Sequence, residues 1–161
     1  MQHNIHERLL AHLADLGWTV ARAADPATPP PGAHAAHRDF LGRYALLCRA
    51  DESVWFLSAA DYAGTADSAF AWDEFKRLSL DAALDDEDRQ GIRTFWDRHL
   101  PVLMSVAGDY EFLAIDQDTG AVVHGIEPEF EAVTVVADSW AGFCEAVIAG
   151  RVLPALFKQA S

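Results

Sequence analysis

Apolar residues return at Ile5, Leu9, Leu13 and Leu16, three to four positions apart, and Gly17 stops the run. That spacing predicts a short amphipathic helix. From Ala24 to Ala36 the chain turns to Pro, Ala, Gly and Thr, with Pro29, Pro30 and Pro31 in succession, which predicts a stiff linker or surface loop. Phe40, Leu41, Tyr44, Leu47 and Cys48 then fall on one face of a second helix. Val54 to Leu57 reads as a first strand, entered from the polar turn Asp51, Glu52 and Ser53. Asp61 to Ser68 reads as irregular chain, and Phe75, Leu78 and Ala82 favour a helix in the segment that opens at Ala69. The next helix is marked at both ends. Asp85, Asp86, Glu87 and Asp88 crowd its start and Arg93 and Arg98 lie towards its end, matching the helix dipole. Ile92, Phe95, Trp96 and His99 make its inner face, and Pro101 ends it.

From Val102 the period changes from 3.6 to 2. VLMSV, DYEFLAID, AVVHGIE and EAVTVVA are separated by Gly108, by Gln117 to Gly120, and by Pro128, which predicts an antiparallel meander of three or four strands. Asp138 or Ser139 caps a last helix with Trp140, Phe143, Cys144, Val147 and Ile148 facing inward. Gly150 closes that helix, and a short helical tail follows from Val152 to Lys158. Helices first, sheet next, helix last predicts an α+β fold. The expected organisation is an N-terminal helix and Pro-rich stretch over residues 1–36 and an α+β domain over 37–161, forming one compact unit.

The 161 residues, 51% of them hydrophobic, suffice for a core without a disulfide or structural metal. No apolar run approaches the roughly 18 residues of a membrane span, and Met1 to Leu16 carries charge where a secretory signal is apolar. A cytoplasmic protein is therefore expected. The net charge of −13 argues against direct binding of nucleic acid or an anionic membrane, because phosphate affinity comes from Lys and Arg. Between Arg98 and Arg151 there is no Lys or Arg at all, while nine Asp and Glu fall there. Cys48 and Cys144 sit among apolar residues of the expected helices and read as small buried thiols; a bridge between them is allowed but not demanded.

Three constellations are candidates for chemistry. His3 with His6 and His34 with His37 have the i, i+3 spacing of a metal pair, yet no carboxylate or Cys completes either at a recognised spacing. Solvated surface histidines are the simpler reading, and no metal or other cofactor is expected. Asp97, His99 and Ser105 lie close in sequence, and His124 faces Asp109 or Glu111 if the strands pair. No recognised local frame supports a hydrolase: there is no GxSxG, no phosphate-cradling Gly loop and no HExxH. Glu127, Glu129 and Glu131 alternate, so on a strand they would stand on one face. Such a row suits protection of a sheet edge, a basic protein surface, or calcium, in that order. Phe130 and Trp72, each flanked by acids, are the aromatics expected to be exposed.

AFAWDEF from Ala69, FWDRHLPVLMSVAGDYEFLAID from Phe95, TGAVVHGIEPEFE from Thr119 and VADSWAGF from Val136 resemble, in that order, the SUKH superfamily. This group includes immunity proteins of bacterial polymorphic toxin systems, the Syd proteins and fungal cell-wall regulators. The resemblance covers roughly residues 40 to 149. It rests on the Gly108-Asp109-Tyr110 turn, the Gly120 hairpin and the Ala137-Asp138-Ser139-Trp140 helix entry, where Trp140 replaces the usual Phe. The region around Cys48 and Arg49 stands where the family usually has Asn-Gly. The resemblance implies a curved, mainly antiparallel sheet with helices packed on one side. It implies no catalysis and supplies no catalytic residue: the bacterial members act largely by binding a toxin, and one fold hosts many binding surfaces. The expected function is an immunity protein that occludes a basic, nuclease-type toxin domain. Asp116, Asp118, Glu127, Glu129 and Glu131 are the expected charged contacts and Phe130 the apolar anchor. A regulatory or scaffold module of the same fold is the alternative, and a hydrolase the third.

Overall fold

A computed structural model describes residues 4–23, 34–65 and 70–158. Seven strands form one antiparallel sheet in sequence order. They are β1 (Thr19–Arg22), β2 (Tyr44–Cys48), β3 (Val54–Phe56), β4 (His99–Ser105), β5 (Glu111–Asp116), β6 (Val122–Ile126) and β7 (Thr134–Ala137). The described helices are α1 (Ile5–Asp15), α2 (Ala35–Leu41), α3 (Ala59–Ala63), α4 (Glu74–Ala82), α5 (Asp86–Arg98), α6 (Trp140–Ile148) and α7 (Pro154–Phe157). The fold is α+β, as the order of patterns implies. Register shifts at Ala21/Arg22, Pro101/Leu103 and Val122/Val123 bend the ladder.

Both faces of the central strands are apolar, so both are covered. Leu113, Ile115 and Val122 point into a core with Leu9, Leu10 and Leu13 of α1, Phe40 of α2, Phe143 and Val147 of α6, and Phe157 of α7. Phe112, Ala114 and Val123 point the other way, into a second core with Phe75 of α4, Trp96 of α5 and Phe130. The helical layer expected on one side is thus the larger of two. α4 and α5 form the second, because alternate residues of β5 are large and apolar on both faces.

The caps read from sequence are in place. The Asp85 side chain accepts from Asp88 N at 2.8 Å at the head of α5, and Ser139 accepts from Gly142 N at 3.0 Å at the head of α6. Gly17 and Gly150, at φ 96° and 72°, end α1 and α6 in the left-handed region that favours glycine. The β4-to-β7 meander follows its expected turns.

Other expectations are corrected. The helix predicted over Phe40 to Cys48 is two elements, since α2 ends at Leu41 and Tyr44, Leu47 and Cys48 belong to β2. The stretch read as linker ends earlier than expected, with Ala35 and Ala36 opening α2; Ala24 to Ala33 lie outside the described residues. Asp61 lies in α3, held by a capping box with Ser58, while Ala66 to Ala69 lie outside the described residues. His99 opens β4 rather than facing inward from α5, and Pro101 sits within β4. That proline lies beyond the reach of β3, whose pairing with β4 runs from Leu103 to Ser105, so its missing N–H costs little there. β1 has no counterpart in the sequence reading. Among the described residues no helix is long and apolar enough to cross a membrane.

Candidate functional site

Charge is distributed unevenly over this frame. Residues 70–131 hold fifteen of the chain's 25 acidic residues and five of its 12 basic ones. They build α4, α5, the β5–β6 hairpin and the loop after β6. Three contacts hold those parts together. Phe130 of the loop stacks on Phe75 of α4 at 4.7 Å and 6°. Glu131 accepts from Ser79 Oγ of α4 at 2.7 Å and from Trp96 Nε1 of α5 at 2.9 Å. Arg98, at the end of α5, forks onto Asp116 of the hairpin at 2.9 and 2.7 Å. Most of the acidic part of the sequence therefore lies on the α4–α5 side of the sheet, with Glu111, bonded to His124, on the Leu113 face instead.

The expected contact residues divide within that layer. Glu127, Glu129 and Glu131 do not form a row on a strand, because β6 ends at Ile126 and β7 begins at Thr134. The intervening segment is a loop entered through a cis Glu127–Pro128 bond. Glu127 turns back to accept from the Tyr110 amide, Glu131 turns inward to Ser79 and Trp96, and Glu129 is exposed. Edge protection by three aligned carboxylates is thereby removed as an account of the motif. Phe130 is buried rather than presented; it fills the space between α4 and β5. Trp72 is half-buried against Tyr62. Gly125 fits this packing, for a Cβ there would meet Phe112 carbons at 2.5 Å and the Phe130 carbonyl at 2.7 Å.

Asp116 is likewise an internal charge. Its side chain is 9% exposed and it accepts from Arg98 and from the Asp118 amide at 2.9 Å. The Arg98 guanidinium holds its carboxyl well below the usual carboxylate range. Asp118 stands outside, 72% exposed and 3.4 Å from Arg98. Of the expected contacts, Asp118 and Glu129 remain as surface charges. Asp81, Glu87 and Asp97, none of them expected as a partner contact, are further free carboxylates, all exposed and without a side-chain hydrogen bond or ion pair among the described residues. Beside them Leu84, in the α4–α5 turn, is 89% exposed. Its position two residues beyond the end of α4 is the signal that marks it.

The hydrolase candidates do not assemble. His99 is buried, with Nδ1 2.8 Å from the Phe95 carbonyl, and stacks on Phe95 at 4.1 Å. Asp97 is exposed on α5, and Ser105 lies at the far end of β4 with its hydroxyl accepting from Ala107 N at 3.3 Å. His124 does face Glu111, with Nε2 2.7 Å from the carboxylate. No serine, threonine or cysteine side chain bonds to that imidazole among the described residues, so a nucleophile and its base do not meet. Among the described residues no cluster of three His, Cys, Asp or Glu could hold a metal ion. Both cysteines are free and buried. Cys48 pairs with Trp55 on the α4–α5 face and Cys144 lies in the α1–α6 core, so the sheet separates them. Burial pushes the Cys144 thiol up to about 12.

No family model, curated protein or solved structure matches the chain.

The histidines are the largest departure from the sequence reading. His6 and His37 are buried rather than solvated, at 4% and 1% exposure. His34 lies half-buried, its Nε2 3.1 Å from the Gln117 carbonyl. At the head of α2 the two diverge, His37 packing on Trp140 of α6 and His34 turning to the β5–β6 hairpin.

Proposed function

We propose that the protein is a non-catalytic binding protein of the immunity type, which occludes a basic, nuclease-type toxin domain through its α4–α5 layer. The observation that carries this reading is the concentration of acid in that one layer, in a molecule whose ionisable groups do not converge on a nucleophile or a metal set among the described residues. A nuclease groove is lined by Lys and Arg because its substrate is polyanionic. Carboxylates spread over a helical layer compete for such a groove as phosphate substitutes, and complementary fields raise the encounter rate. Three of the four arginines of the layer oppose this weakly, while Arg93 is exposed and without an ion pair among the described residues. Arg77, Arg89 and Arg98 are each engaged by a neighbouring aspartate, Asp73, Asp86 and Asp116 respectively. The resemblance to the SUKH group agrees with binding rather than turnover.

The contact set differs from the sequence expectation. Asp118 and Glu129 are kept, Asp81, Glu87 and Asp97 replace the inward-turned Asp116, Glu127 and Glu131, and Leu84 replaces Phe130 as the exposed apolar group. An interface of ordinary size, about 1,200–2,000 Å² in total, spans much of the layer. Co-expression with the toxin encoded beside this gene tests the proposal. Growth is restored by the wild-type chain and lost with the combined charge reversals Asp81→Lys, Glu87→Lys and Glu129→Lys. Failure of the wild-type chain to restore growth, or association that is insensitive to ionic strength, overturns it.

A further inference from the structure

A second cluster of titratable groups lies on the opposite side of the sheet from the acidic layer, where α1, α2 and α6 meet. Trp140, the first residue of α6, is sandwiched there between two buried imidazoles. Its ring centroid is 5.5 Å from that of His37 on α2 and 6.4 Å from that of His6 on α1. The His6 ring is fully engaged. Its Nε2 lies 2.9 Å from the Trp140 indole nitrogen and its Nδ1 2.6 Å from Asp39 Oδ2. An indole only donates, so Nε2 must carry the lone pair and Nδ1 the proton that goes to Asp39. His37 has no such support. Its Nδ1 is buried and has no hydrogen-bond partner.

We propose that this seam is an acid-sensitive latch: α2 is held on α6 while the His37 ring is neutral, and protonation of that ring releases it. A proton added to His37 would place a cation in a buried site without an acceptor. The groups around it offer no relief. On α1, His6 is itself basic; on α2, Asp39 is committed to His6 and to Arg43 at 3.0 Å. His34, at the head of α2, adds a like charge when protonated. On α3, Tyr62 donates its hydroxyl to the Pro101 carbonyl, and Asp61 is taken by the capping box with Ser58. On α6, Glu145 is turned to Arg8 at 3.0 Å. Burial, and then the neighbouring imidazoles of His34 and His6, hold the His37 ring down to about 3.

The sign follows from linkage. The ring's ordinary value is 6.5 and the closed form lies below it, so the open form binds more protons between these limits. The closed state is constant above about pH 6.5 and loses ground as the pH falls below it, by up to about tenfold per pH unit. Opening would uncover Phe40 and Trp140 and leave the sheet and the acidic layer in place.

Amide exchange of the wild-type chain between pH 8 and 4.5, corrected for intrinsic rates, reads this equilibrium, with the His37 ring followed by NMR in the same samples. Protection in α2 falls several-fold below pH 6.5 while β4 and β5 amides hold theirs, and the His37 ring stays neutral in the closed form. In His37→Phe the α2 protection no longer depends on pH in this range. Three results overturn the latch: α2 protection flat with pH in the wild type, loss in step with the sheet, or the same loss in His37→Phe. Should that variant not fold, the wild-type ring decides, since titration near 6.5 with α2 intact also overturns it.

Discussion

Phe130 shows how a residue's neighbours in sequence mislead about its neighbours in space. Glu129 and Glu131 flank it, which reads as an exposed aromatic, yet its ring lies flat on Phe75 and within 6.1 Å of Phe112. Truncation of a buried phenylalanine costs about 3–5 kcal/mol, so Phe130→Ala is expected to lower the urea midpoint by a corresponding amount. An interface anchor would leave that midpoint unchanged and weaken only association. Asp116 makes the same point with charge. Its carboxyl lies below the usual range because Arg98 binds it, so the unfolded chain takes up the proton first. The bonus is complete above the ordinary carboxylate range and fades as the pH falls below about 4. Arg98→Met removes the cause, and the acid-unfolding midpoint is expected to move to higher pH, read by far-UV circular dichroism. An unchanged midpoint would mean that Asp116 draws its stabilisation from the hairpin amides alone.

At the scale of elements, the C-terminal half was legible because short apolar runs are bounded by turn and cap residues, as at Gly120 and Ser139. The stretch from Phe40 to Cys48 was not, for a definite reason. β1 pairs Ala21 with Leu46 but Arg22 with Tyr44, so Ala45 is bulged out. The bulge turns Tyr44 and Leu47 to the same core at a separation of three, which imitates a helical period across a helix–strand boundary. β1 itself has four residues and one partner strand, too short for a period to register. The loop after β6 escaped for a related reason: alternation of Glu127, Glu129 and Glu131 is the pattern of a strand, and the bonds that turn Glu127 and Glu131 inward come from β5, α4 and α5. α7 is held from outside as well. Arg49, in the position where the sequence departs from its resemblance, bonds to the carbonyls of Ala155 at 3.0 Å and Leu156 at 3.4 Å, while Asp51 clamps its other edge at 2.7 Å. Trp18 Nε1 adds a bond to the Phe157 carbonyl at 2.8 Å. Leaving buried carbonyls without their donor costs about 1–3 kcal/mol. Arg49→Met is therefore expected to destabilise the chain on that order and to make the α7 segment the first site of proteolytic cleavage.

For the molecule as a whole, the acidic layer sets folding against binding. A net charge of −13, most of it on one layer, is self-repulsive, and nothing in the fold requires every carboxylate there. The capping bonds of Asp85 and the ion pairs of Asp73, Asp86 and Asp116 repay their charges. Asp81, Glu87, Asp97 and Glu129 make no such bond among the described residues, so they repel without compensation beyond the dipole of α5 at Glu87. Two consequences follow for the free protein. Raising the salt from 0.02 to 0.3 M shortens the screening length from about 20 to about 6 Å, and the melting temperature should rise. Replacing Asp81, Asp97 and Glu129 by their amides should stabilise the fold at low salt by about 1 kcal/mol in total, raising the melting temperature there and reducing its salt dependence. The same replacement should slow association with a basic toxin domain, which is the signature of charges retained for a partner. If the amides instead lower the melting temperature at low salt, those carboxylates serve the fold, and the surface assigned to the partner must lie elsewhere.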